Sequence, residues 1–191
     1  MVKSRLRAEV RRRRRAMDAA ERHRESAELC TALDTTLTGA RVVAGYSATG
    51  TEPDPSAALE RAHAAGTQVI LPVCRPNFQL GWVTWHPDIE LRPSALAPVN
   101  EPVGPVAEAI AAAAADVILL PATSVDRSGT RLGQGGGYYD RLIAEVRRQG
   151  SAAQLIAVVY EHELLPAGSL PRELTDQPVD AVATMSGLTW L

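Results

Sequence analysis

Apolar positions along the chain repeat at two periods, and the alternation between them gives the order of elements. Leu6, Val10 and Met17 stand at i, i+4 and i+11, a single helical stripe within a run of good helix formers from 3 to 16. Lys3, Arg7 and Arg14 keep the same spacing beside that stripe, at the edge where such a helix meets the body. Arg11 to Arg15 are consecutive, so at roughly 100° per residue they fan around the axis and form no single face. Asp18 with Glu21 has the spacing of a capping box and predicts a second helix to about Leu37, ended by Gly39.

Beyond residue 40, short runs rich in Val, Ile and Leu alternate with helical stretches. Strands are predicted over 41–46, 67–73, 80–85, 116–120, 154–160, 179–184 and 188–191, and helices over 56–65, 105–115 and 138–149. The stretch 47–55 reads as turns, the proline-rich stretch 87–104 as loop, and 121–137 as one long loop leading into a helix. Strands that alternate with helices predict an α/β fold with a largely parallel sheet. Trp82 and Trp85 stand at i and i+3 of a strand, hence on opposite faces, and read as packing residues.

Composition narrows the class. The chain has 191 residues, 46% of them hydrophobic and 22% charged, which suits one domain, 1–191, with residues 1–38 as a basic helical arm on an α/β body. The longest apolar run, 109–122, is broken by Asp116 and Pro121 and is too short to span a bilayer. The N-terminus is arginine-rich without an apolar segment, which argues against a secretory signal; Glu9 and Asp18 weaken a basic targeting peptide. Cys30 and Cys74 form neither a CxxC nor a disulfide framework and read as buried, unreactive thiols, so the expected setting is reduced and cytoplasmic. His23, His63, His86 and His162 have no metal-ligand spacing, and Ser124 lies in no nucleophile-elbow context.

Charge is uneven. Residues 1–24 hold ten Lys/Arg against three Asp/Glu, and the remainder holds ten against nineteen. A basic arm on an acidic body calls for an anionic partner: a nucleotide, a nucleic acid or the body itself. Lys3 is the only lysine, which marks either a site needing a compact ammonium or drift at a solvated terminus.

The segment from Arg131 to Arg141 carries the chemistry. Gly133, Gly135, Gly136 and Gly137 remove side chains where backbone N–H groups would approach an anion, and the helix that follows adds the positive end of its dipole. Arg131 is a planar donor suited to phosphate oxygens. Asp140, in the first helical turn, supplies a hard oxygen of the kind a phosphate-bound Mg²⁺ takes. The segment matches neither a Walker A loop, which would end in Gly-Lys-Ser/Thr, nor a dinucleotide fingerprint, because Tyr138 stands where the third glycine belongs.

Arg131-Leu-Gly-Gln-Gly-Gly-Gly-Tyr-Tyr-Asp-Arg141, preceded by Pro121 and by Val125-Asp126-Arg-Ser-Gly129, resembles the signature of the 5-formyltetrahydrofolate cyclo-ligase (methenyltetrahydrofolate synthetase) family. Lys3-Ser-Arg-Leu-Arg7, the segment from Arg41 to Pro55 with Glu52 and Asp54, Glu101-Pro102 and Thr175-Asp176-Gln-Pro-Val-Asp180 resemble that family in order and spacing. Val125 departs from it, standing where the family usually has an aromatic residue. The resemblance implies a three-layer α/β fold, shared with some sugar-phosphate isomerases and CoA transferases, and closure of 5-formyltetrahydrofolate with ATP and Mg²⁺. It implies that Lys3, Ser4, Arg5, Leu6 and Arg7, with Arg131, Leu132, Gly133, Gln134, Gly135, Gly136, Gly137, Tyr138 and Tyr139, hold ATP. Gln134 to Tyr138 would also face the folate, Glu52 would contact the pterin, and a further contact falls near Tyr46. Asp140 and Asp176 would ligate Mg²⁺, and Lys3, Arg131 and Tyr138 would carry the catalysis. The expected form is a monomer with no nucleic-acid and no membrane partner. The alternative is a nucleic-acid-binding protein using the arginine arm, although the first 40 residues contain no aromatic side chain. A third reading keeps the fold and changes the chemistry to that of an isomerase or a CoA transferase.

Overall fold

The computed structural model describes residues 2–173 and 175–191. Two helices open the chain, α1 (Val2–Ala16) and α2 (Ala19–Thr38), separated by Asp18, whose side chain accepts the Ala20 N–H at 3.3 Å. There follow β1 (Val42–Ala44), α3 (Ser56–Ala64), β2 (Gln68–Arg75), β3 (Gln79–Trp85) and a small hairpin of β4 (Leu91–Pro93) with β5 (Asn100–Pro102). Next come β6 (Val117–Pro121), β7 (Ser124–Asp126), β8 (Arg131–Leu132), α4 (Tyr138–Arg148), β9 (Gln154–Val158), β10 (Leu164–Leu165), β11 (Ala181–Thr184) and β12 (Gly187–Trp190).

Seven of these strands form the central sheet in the order β12-β11-β9-β6-β1-β2-β3. The inner pairings are parallel, and only the edge strands β3 and β12 run antiparallel. A parallel strand covered on both faces needs apolar side chains in both directions. β6 meets that need with Val117-Ile-Leu-Leu120, buried throughout. Alternation then sorts the side chains into two cores. Val43, Val69, Leu71, Leu119 and Ile156 pack against Leu29, Leu33 and Leu37 of α2 and Leu59 of α3. Ala44, Ile70, Ile118, Leu120 and Leu155 pack against Leu142, Ile143 and Val146 of α4. The result is three layers, and the two tryptophans divide as their spacing requires, Trp82 in the second core and Trp85 in the first.

Three segments differ from the sequence expectation, the first being the loop expected over 87–104, in which β4 and β5 pair as a hairpin. The helix expected over 105–115 is reduced to a 3-10 helix, Ala109–Ala114. Its first half is drawn off because Ala107 exchanges both backbone hydrogen bonds with Trp82, at 2.7 and 2.9 Å, extending the edge of β3. The loop expected over 121–137 contains the β7–β8 hairpin, with β10 parallel to β7 in a second sheet. Asp126 organises that hairpin. Its carboxylate accepts the N–H groups of Ser128 and Leu170, each at 3.0 Å, and of Thr130 at 3.3 Å. Among the described residues, no helix is long and apolar enough to cross a membrane.

Candidate active site

The parallel strands β1, β2 and β6 all end on the same side of the sheet. The chain that leaves them there lines a cavity of about 760 Å³, at the carboxyl edge where ligands enter α/β folds. Tyr46 and Glu52 come from the segment after β1, Pro72 and Cys74 from β2, and Pro121 from the end of β6. The glycine segment Gly133–Gly137 forms one wall, and Arg11, Arg14 and Arg15 of α1 form another.

β8 delivers Arg131 into this wall. Its side chain is 2% exposed, and its Nη2 donates to Asp140 Oδ1 at 2.7 Å. Its Nε is buried and has no partner among the described residues. Glycine at 133 allows that approach, because a Cβ there would stand 2.7 Å from Arg131 Nη1. Gly137 ends the segment at φ +74, a conformation other residues rarely adopt, and starts α4 with no side-chain cap. The N–H groups of Gly135, Gly136 and Gly137 find no acceptor among the described residues. An unpartnered guanidinium N–H and uncapped amides lining one cavity have the chemistry to hold an anion.

The arm closes that site from outside. Lys3 Nζ donates to both oxygens of Asp176, at 2.9 and 2.6 Å, and lies 3.3 Å from Glu173. Burial alone would lower the Lys3 ammonium and raise the Asp176 carboxyl; their mutual bond outweighs it, so Lys3 is raised and Asp176 lowered. Arg7 Nε donates to the Gly133 carbonyl at 2.7 Å. Arg11 donates to the Gln134 side-chain oxygen at 2.8 Å, and the Gln134 amide donates in turn to Glu52 at 3.0 Å. The second Glu52 oxygen accepts the Thr49 N–H at 3.0 Å. Arg14 is anchored deepest. It is 2% exposed and bidentate on the fully buried Glu163, at 2.6 and 2.7 Å, with a third bond to the Ala122 carbonyl.

Most of the sequence-derived candidates therefore converge, though not on one surface. Arg131, Gly133, Gln134, Gly135, Gly136, Gly137, Tyr138, Tyr139, Tyr46 and Glu52 line the cavity. Lys3, Arg7, Asp140 and Asp176 are not among the lining residues: Arg7 bonds to the Gly133 carbonyl, Asp140 accepts from Arg131, and Lys3 bonds to Asp176, which feels the Arg131 charge. Ser4 and Arg5 are exposed, Leu6 is half-buried on the arm, and Leu132 is buried in β8. The Tyr46 hydroxyl donates to the Pro53 carbonyl at 2.6 Å, which leaves its ring as cavity wall. Burial raises the hydroxyls of Tyr138 and Tyr139, so both remain protonated donors. Val125 is wholly buried and pairs in register with Leu164 of β10, so the departure from the aromatic residue lies in core packing.

Several lining residues were not singled out from the sequence. Cys74 is half-buried rather than buried; burial first, then Glu101, pushes its thiol up to about 11. Phe78, Leu96, Pro98 and Val99 make an apolar rim. Phe78 is the chain's only phenylalanine, which is the one signal that could have marked it.

A family model described as the 5-formyltetrahydrofolate cyclo-ligase family matches residues 1–185. A 5-formyltetrahydrofolate cyclo-ligase of Mycolicibacterium smegmatis is 36% identical over 95% of this chain and 93% of its own. The Escherichia coli enzyme of the same name is 31% identical, covering 93% and 97%. Among solved structures, the Aquifex aeolicus 5,10-methenyltetrahydrofolate synthetase superposes with a TM-score of 0.79 at 27% identity, covering 100% of this chain and 93% of that one. The Mycoplasma pneumoniae protein of that name, at 18% identity and a TM-score of 0.74, shares the fold. With the anion site built on Arg131 and the glycine segment, these matches along nearly the whole length place the chain in the 5-formyltetrahydrofolate cyclo-ligase family.

Proposed function

We propose that this protein closes 5-formyltetrahydrofolate to 5,10-methenyltetrahydrofolate with conversion of ATP to ADP and phosphate. The observation that carries this reading is the buried, unpartnered Arg131 Nε of a residue that lines the same cavity as the uncapped amides of Gly135–Gly137. A formamide oxygen is a poor leaving group. Transfer of the γ-phosphoryl group to it makes a good one, and the folate's own N10 then attacks the activated carbon. The protein supplies no covalent nucleophile. Its work is alignment and stabilisation of charge on the transferring phosphoryl group.

Lys3, Arg7 and Arg131, with the amides from Gly133 to Tyr139, would surround the triphosphate. Ser4, Arg5, Leu6 and Leu132 would belong to the same nucleotide segments through their backbone. Glu52 would accept from N–H donors on the pterin edge, with Tyr46 as wall, and the protonated Tyr138 hydroxyl would donate to oxygen at the reacting centre. Asp140, bonded to Arg131, and Asp176, whose carboxyl is lowered in part by the Arg131 charge, are hard-oxygen donors of the kind Mg²⁺ takes when phosphate oxygens complete the set. Bound Mg²⁺ neutralises phosphate charge. The working unit is taken as one domain, 1–191, monomeric and cytoplasmic, with residues 1–38 as the arm that closes over ATP.

Purified protein, 5-formyltetrahydrofolate and Mg-ATP are followed by ultraviolet absorbance of the methenyl product. Product that requires ATP and disappears in a folded Arg131→Ala variant is the expected result. Product formed without ATP, or an Arg131→Ala variant of undiminished rate, would refute the reading.

A further inference from the structure

The connection between β2 and β3 is three residues long, Pro76-Asn77-Phe78, and it is strained. Asn77 at φ 61 and Phe78 at φ 58 are the only non-glycine residues with left-handed φ among the described residues. Asparagine tolerates that conformation, but a bulky aromatic residue is an outlier there. Burial does not compensate, because Phe78 is 50% exposed. Strain of this kind persists where surrounding structure holds it, and it gathers at functional sites.

Here the ring is held and aimed. The Arg141 guanidinium lies 5.0 Å over one face of Phe78, and that arginine also donates to the Gly137 carbonyl at 3.2 Å. The Tyr138 ring meets Phe78 edge to face, with centroids 5.6 Å apart. Phe78 borders the cavity with Leu96, Pro98 and Val99, beside Tyr138 at the end of the glycine segment. The cavity thus has an anion-binding end, a carboxylate on the turn at Glu52, and one apolar aromatic rim.

We infer that Phe78 is a positioning residue for the substrate's aryl ring, which it stacks against Tyr138 so that N10 faces the activated formyl carbon. This rests on the cyclo-ligase reading above. In 5-formyltetrahydrofolate, N10 is bonded directly to that aryl ring, so the surface that holds the ring aims the nitrogen. In the productive step the N10 lone pair forms the bond to the formyl carbon. The bond from that carbon to the phosphorylated oxygen breaks, phosphate leaves with that oxygen, and the N10 proton is released. If N10 is misaligned, water attacks the same carbon. Phosphate leaves again, water's oxygen becomes the formyl oxygen, and the formamide is regenerated. Poor positioning therefore turns ring closure into futile ATP hydrolysis.

The test uses the full chain with Phe78→Asn, which removes the ring and suits the left-handed backbone, and Phe78→Tyr, which keeps the ring. Methenyl product and inorganic phosphate are measured together. Wild type releases one phosphate per methenyl product. Phe78→Asn should lower kcat/KM for 5-formyltetrahydrofolate about tenfold, raise phosphate per product above one and leave the KM for ATP within about twofold. Phe78→Tyr should restore the ratio to one. 5-Formyl-6-methyltetrahydropterin lacks the aryl ring and N10, and it should inhibit wild type and Phe78→Asn with equal Ki. A ratio that stays at one in Phe78→Asn, or a Ki for the truncated compound that weakens as much as the substrate's KM, would overturn the inference. Wild-type protein that forms no methenyl product would overturn this inference and the cyclo-ligase reading together; a coupled wild type with an unaltered Phe78→Asn would overturn this one alone.

Discussion

Replacing Arg14 by methionine tests how the arm is held. The guanidinium makes two bonds to Glu163 and one to the Ala122 carbonyl, and Glu163 also accepts the Tyr160 N–H at 3.0 Å. Arg14 is 2% exposed and Glu163 is wholly buried. Methionine fills much of the stem's volume and leaves Glu163 as an uncompensated buried carboxylate. Burial already pushes the Glu163 carboxyl upward against the pull of Arg14, so its desolvation is real. Breaking a buried pair from one side costs about 3–5 kcal/mol, a large share of a domain's total of about 5–15.

For a chain of this length that predicts a fall in Tm of about 6–20 °C, at roughly 2–4 °C per kcal/mol. The assay is urea unfolding by far-ultraviolet circular dichroism, with amide exchange on residues 2–16 to detect local release of the arm. The double variant Arg14→Met/Glu163→Leu removes both charges and should recover most of the loss. A single variant that costs less than about 1 kcal/mol with unchanged exchange over 2–16 would refute the reasoning, because Glu163 would then be solvated without Arg14.

Other outcomes follow from the same geometry. Gly137→Ala should cost about 1–2 kcal/mol in urea unfolding, because φ +74 disfavours a Cβ and that Cβ would meet Arg141 Nη1 at 2.7 Å. It should also weaken ATP binding by calorimetry; binding at full strength would count against the glycine wall. Burial would raise the Asp126 carboxyl, but its bonds from Ser128, Leu170 and Thr130 outweigh this and lower it. Its stabilising contribution is therefore complete above about pH 4 and lost as pH falls through the lowered value, and Asp126→Asn should flatten urea midpoints measured from pH 6 to 2. Lys3→Met should raise the KM for ATP with little change in Tm, since Lys3 and Asp176 are both partly exposed and such pairs contribute about 1 kcal/mol or less. Mg-ATP should increase amide-exchange protection over residues 2–15, and unchanged protection there would show that the arm does not close on the nucleotide.

The parts of this site with a repeating pattern could be read before the fold was known. A stripe at helical spacing placed Lys3, Arg7 and Arg14 at a helix edge, and all three bond to the body from that edge. Four glycines after a strand and before a helix marked the anion wall. What lacked a period was invisible. β7, β8 and β10 are two or three residues long, too short to alternate, so the hairpin that carries Arg131 read as loop. Residues 87–104 are punctuated by proline, and nothing local shows that Leu96 and Val99 fold back onto the rim. Glu163 stands 149 positions from Arg14, and no property of a single sequence pairs them.

The arm explains why those distant pieces act together. Lys3, Arg7, Arg11 and Arg14 lie on one side of a single helix, which rises about 16 Å between the first and the last. Along that length they meet Asp176, then the Gly133 carbonyl, then Gln134, then Glu163. Gln134 passes the contact to Glu52, on the turn after β1. A rigid helix thus sets the distance between the anion end of the cavity and the carboxylate proposed to hold the pterin. Arg12 and Arg13 face solvent, so charge alone does not select the contacts. Helical phase does. Inserting one residue after Ala8 would turn Arg11 and Arg14 by about 100° and lift them off Gln134 and Glu163, while leaving the arm's net charge unchanged. Reach and phase, more than the count of arginines, are what couple the glycine wall to the turn that carries Glu52.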